Sequence, residues 1–91
     1  MPARITWDGG GEGEITRLDA DKFELVSSVP FAPGSRPEAT LSPGGERIWM
    51  KVHASRRLQD GAFFVEGRLL NATRELRSTL ERAMAEPPAP V

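Results

Sequence analysis

The sequence predicts a mostly β fold, six short strands in a small antiparallel barrel or sandwich followed by one α-helix. Three observations carry that expectation. Brief apolar–polar alternations recur, each cut off by glycine, proline or aspartate turns. After Leu70 the apolar spacing changes from two residues to the helical period. The chain has 91 residues, 38% of them hydrophobic and 27% charged, which is enough for one core and too little for two.

Arg4 to Trp7 is a brief strand, closed by the flexible run Asp8-Gly9-Gly10-Gly11. Glu12 to Leu18 and Lys22 to Ser27 form a hairpin, because Asp19-Ala20-Asp21 between them is turn chemistry. Phe23, Leu25 and Ser27 share one side of the second strand. Val29 to Gly34 contains two prolines, so it reads as an apolar loop covering an open end of the core. Arg36 to Leu41 is a strand whose Pro37 implies an edge position, and Ser42-Pro43-Gly44-Gly45 is a turn. In Arg47 to Arg57, Ile48, Met50, Val52 and Ala54 alternate with Trp49, Lys51, His53 and Ser55. An Asp60-Gly61 turn returns the chain through the strand Ala62 to Leu70. Asn71 is the expected helix cap, and Ala72, Leu76, Leu80, Ala83 and Met84 then mark one apolar helix face.

Composition excludes several functions. There is no cysteine and a single histidine, His53, so thiol chemistry, disulfides and clustered-ligand metal sites are not expected. Twelve basic residues against thirteen acidic ones leave a formal charge of −1, with no global attraction to nucleic acid or to an anionic membrane. No leader peptide and no apolar run near the roughly 18 residues of a membrane span is read, so a cytoplasmic location is expected. No carboxylate pair, nucleophile and base, or phosphate-loop ending is legible, which argues against an enzyme.

The order of elements resembles a PilZ domain, a bacterial six-stranded β-barrel with a C-terminal helix. Four stretches carry the resemblance: Gly13 to Leu18, Phe31-Ala32-Pro33-Gly34-Ser35, Ile48 to Val52, and Phe64-Val65-Glu66-Gly67-Arg68-Leu69-Leu70 just before the helix. The expected boundaries are a flexible segment 1–11, a PilZ-like barrel and helix 12–85, and a disordered tail 86–91 that its prolines mark. PilZ domains typically bind cyclic di-GMP through Arg-x-x-x-Arg before the barrel and Asp/Asn-x-Ser-x-x-Gly in the first hairpin. Here the second motif falls on residues 17–22, where Arg17, Asp19 and Lys22 stand for Asp/Asn, Ser and Gly, and the first is missing. Two aspartates at that turn would repel phosphates, and Lys22 fills space the family leaves to glycine.

The resemblance therefore implies a non-catalytic regulatory or signalling domain, without cofactor or metal, that acts by protein–protein contact independently of cyclic di-GMP. The expected contact residues are Trp49 and Phe31, engaging a partner protein or a second copy. The alternative is cyclic di-GMP binding by a non-standard set, Arg4, Arg17 and Arg56. A third reading, single-stranded nucleic acid stacked on Trp7 and Trp49, is opposed by the acidic pI of about 5.8. For Trp49 itself, packing beneath the helix or Phe31 is weighed against anchoring a partner.

Overall fold

A computed structural model describes residues 3–42 and 44–85. The chain forms β1 (Ala3–Trp7), β2 (Glu12–Asp19), β3 (Lys22–Ser27), β4 (Glu38–Ser42), β5 (Arg47–Arg57), β6 (Phe63–Leu69) and α1 (Arg74–Ala85). The strands close into an antiparallel barrel in the order β1-β2-β3-β6-β5-β4, with β4 returning to β1. The expected Pro-rich tail, 86–91, lies outside the described residues. No helix among the described residues is long and apolar enough to cross a membrane.

Strand alternation builds the interior. Ile5, Ile15, Leu25, Ile48, Met50, Val52 and Val65 are fully buried, each contributing about 1.5–3 kcal/mol of apolar burial. Helix α1 lays Leu76 and Leu80 into this core and packs on β1 and β2. The loop after β3 covers the core as expected: Phe31 meets Trp7 edge-to-face at 4.5 Å and 62°. Among the described residues one polar residue, Ser27, is buried as a whole, and its hydroxyl is satisfied. Ser27 Oγ accepts from Trp7 Nε1 and from the Val29 amide, both at 3.0 Å, and donates to the Val29 carbonyl.

Several expectations are corrected by the structure. Within the segment 1–11 expected to be flexible and separate, Ala3–Trp7 is instead a wall of the barrel, paired with both β2 and β4. The Gly-rich run that follows is a hydrogen-bonded turn, with the Trp7 amide donating to the Gly11 carbonyl and the Gly10 amide to that of Trp7. A closed ring offers Pro37 no edge. It lies just before β4, and its carbonyl accepts from the Met50 amide.

The alternation in β5 also breaks earlier than its sequence indicates. A bulge between Val52 and Ala54 turns Ala54 outward and leaves it exposed. Nor does Asn71 cap the helix. Thr73 does, accepting from the Leu76 amide at 3.1 Å, while the Asn71 amide is clipped to β5. Its Oδ1 accepts from the Trp49 amide and its Nδ2 donates to the Arg47 carbonyl, both at 3.0 Å.

Candidate functional site

Two surface features arise from where the strand register sends the outward side chains. The first gathers the residues expected at the degenerate motif. Arg17 and Asp19 project from β2, and Lys22 from the start of β3, where Asp19 pairs with Lys22 across a two-residue turn. Ala20 in that turn has φ of 56°, a left-handed conformation costly for a residue with a Cβ. With Glu24, His53 and Glu66, these three side chains line a shallow groove of about 340 Å³. The groove carries mixed charge. His53 makes no hydrogen bond to the carboxylates around it, and no cluster of three or more His, Asp or Glu side chains suited to a metal ion occurs among the described residues.

The three arginines of the alternative reading do not converge. Arg17 lies in this groove. Arg4 lines a separate one of about 410 Å³ and pairs with Glu14 at 3.4 Å. Arg56 sits 5.1 Å above the Phe64 ring. By register Arg4, Glu14, Val26, Phe64 and Arg56 follow one another across five strands, which puts the outer arginines at opposite ends of a row.

The second feature is apolar. Trp49 is 49% exposed and Leu70 42%, the two large hydrophobic residues left most open among the described residues. They are neighbours: the Leu70 amide donates to the Trp49 carbonyl at 2.7 Å, continuing the β5–β6 pairing beyond Leu69. The Asn71 clip holds the Trp49 amide from the same side. Neither the helix nor Phe31 covers Trp49. The helix packs on β1 and β2, across the ring from β5, and Phe31 is committed to Trp7. Phe31 and Trp49 therefore do not form one surface. Trp7, at 3% exposure with its indole nitrogen bonded to Ser27, has no face free to stack on a base.

Beside Trp49 lies a charged cluster that sequence reasoning missed. Arg47 grips both carboxylate oxygens of Asp8, reaches Glu38 at 3.2 Å, and donates to Thr40 Oγ1 at 3.1 Å. The Arg47 hydrogen bonds hold the Asp8 carboxyl below its ordinary range, outweighing slight desolvation. The fork ties the end of β1 to β4 and β5, so it helps close the ring. Leu70 and Asn71 were also missed as site residues. The alternation reveals that Leu70 can face outward, but not that it would sit beside Trp49. Comparisons with protein-family models, with curated proteins and with solved structures find no match to this chain.

Proposed function

We propose that the chain is a non-catalytic, PilZ-like regulatory module that works by docking another protein on its outer wall, independently of cyclic di-GMP. The observation that carries the reading is Trp49, half exposed beside Leu70 on a strand whose backbone is held on both sides. A rigid, open aromatic residue of this kind loses little conformational freedom on binding, and such residues dominate interface energies. The groove at the first hairpin supports the negative half of the reading. Asp19, Glu24 and Glu66 line it, opposing a phosphodiester, and Arg4 and Arg56 are engaged elsewhere.

The test places a photo-crosslinking amino acid at position 49 in the native cells, with position 6 on β1 as control. A discrete protein adduct at 49 and none at 6 is expected, and its mass distinguishes a partner from a second copy. The same adducts at both positions, or none at either, would contradict the proposal. Calorimetric titration with cyclic di-GMP is expected to show no binding. Micromolar binding lost on Arg17→Ala would establish the alternative.

A further inference from the structure

Strand order places four cations side by side. Lys22 of β3 pairs with Arg68 of β6, and Arg68 pairs with Lys51 of β5. Beyond β5, the Met50 amide donates to the Pro37 carbonyl and the Val52 amide to the Ser35 carbonyl, which sets Arg36 opposite Lys51. Arg36, Lys51, Arg68 and Lys22 thus form one row across four adjacent chain segments, about 14 Å long at the usual spacing between strands. Their neighbours along the strands, Met50, Val52, Gly67, Leu69 and Phe23, point inward, so the four side chains project outward together.

Among the described residues none of the four has a carboxylate within salt-bridge distance. Like charges directly opposite one another destabilise a sheet. Here the arrangement is repeated across the wall of a chain whose net charge is −1. Trp49 lies two residues from Lys51, and Leu70 two from Arg68, so the apolar pair borders the row on the same outer face. On its other side the row is bounded by Glu24 opposite Glu66.

We infer that this strip, with the Trp49–Leu70 pair as its apolar flank, docks an acidic helix of a partner protein. The inference rests on the protein-docking function proposed above and gives its partner a chemistry. Acidic side chains at helical i, i+3 and i+4 positions lie about 5–6 Å apart, close to the spacing of the cations. A row of about 14 Å matches roughly ten helical residues. An apolar stripe beside the acidic one then falls on Trp49 and Leu70. The Glu24–Glu66 row disfavours a polynucleotide, whose charges would continue past the strip, and Trp49 offers it one stacking ring where successive bases need several.

The experiment uses the full chain and a fluorescein-labelled helical peptide of about 16 residues, long enough to hold helix. The peptide carries glutamate on one stripe and leucine on the next. A lysine-for-glutamate peptide and an oligothymidylate serve as comparison probes. The glutamate peptide is expected to bind, to weaken as salt is raised, and to bind at least tenfold less tightly to Arg68→Glu and to Trp49→Ala. Arg68→Glu places a carboxylate between Lys22 and Lys51, so it is expected to melt at the parent temperature or above it. Lost binding then cannot be assigned to unfolding. Equal binding of the lysine peptide, tighter binding of the oligonucleotide, or binding unchanged by Arg68→Glu would overturn the inference. No peptide binding alongside an adduct at position 49 would refute the acidic chemistry and leave protein docking standing. Loss of both would refute the two together.

Discussion

Replacing Gly67 by alanine adds one methyl group to a strand, a change that ordinarily lowers the entropy lost on folding and stabilises by about 0.5–1 kcal/mol. At this position the sign is expected to reverse. Gly67 faces the barrel interior between Phe23 and Val52. A Cβ there would fall well inside contact distance of the Lys51 carbonyl oxygen, 3.0 Å from that carbonyl's carbon and 3.1 Å from Phe23 Cζ. Carbon pairs are most comfortable at about 3.5–4.0 Å. The Phe23 ring can tilt, but the Lys51 carbonyl is main chain in the bulged segment of β5, so β5 and β6 must part. Overpacking of about 1–3 kcal/mol, with one or two ladder bonds at about 1 kcal/mol each, gives a loss of roughly 2–5 kcal/mol. A chain of this length holds about 5–14 kcal/mol in total. The assay is urea unfolding followed by circular dichroism, in which the midpoint should fall by about 1.3–3.3 M at a slope near 1.5 kcal/mol/M. Gly9, with nothing within 4 Å of an added methyl and no left-handed φ, is the matched control, and Gly9→Ala should shift stability by less than about 0.5 kcal/mol. A Gly67→Ala midpoint equal to that of Gly9→Ala would refute the close approach of β5 to Gly67.

Three further outcomes are expected. Asn71→Ala removes both bonds to β5 and should cost about 1–2 kcal/mol, speeding hydrogen exchange at the Trp49 amide. It should leave the Leu76 amide protected, whereas Thr73→Ala should do the opposite. Ser27→Ala strands the Trp7 indole N–H in the core, and urea unfolding should record a loss of about 1–3 kcal/mol with a changed near-ultraviolet tryptophan signal. For Asp8 the folded carboxyl titrates below its ordinary 3.8, so its stabilisation is complete above that value and is lost as pH falls through the lower, folded one. Asp8→Asn should therefore be less stable than the parent at neutral pH, and the two unfolding curves should converge in strong acid.

Local pattern makes the barrel elements legible, and long-range partners decide what remains. Phe23, Leu25 and Ser27 read correctly as one inward face because period-two alternation needs only the strand itself. β1 escapes the expected domain boundary although Ala3, Ile5 and Trp7 alternate with Arg4 and Thr6, because a five-residue alternation does not say which strands it joins. Its place in the wall depends on pairing Ile5 with Leu41, far away in sequence. Asn71 and Thr73 both have side chains that can cap a helix, and what separates them is that β5 offers an amide and a carbonyl to Asn71. Ala54 is small enough for either face, so nothing in β5 alone announces the bulge, which lies close to Gly67 on the neighbouring strand. At the site, Arg17, Asp19 and Lys22 are legible because they are near one another in sequence, and the fold does bring them into one groove. The cation row and the Trp49–Leu70 pair are invisible until the order β3-β6-β5 is known.

The central claim is that β5 and its neighbours, and not the first hairpin, form the working surface. A two-dimensional amide spectrum of the labelled chain in native cell extract tests it directly, because its two tryptophans give separate indole signals. The Trp49 indole and the Lys51 and Arg68 amides should broaden together while the buried Trp7 indole stays sharp. Unaltered signals there, with Arg17, Asp19 and Lys22 shifting on addition of cyclic di-GMP, would contradict it.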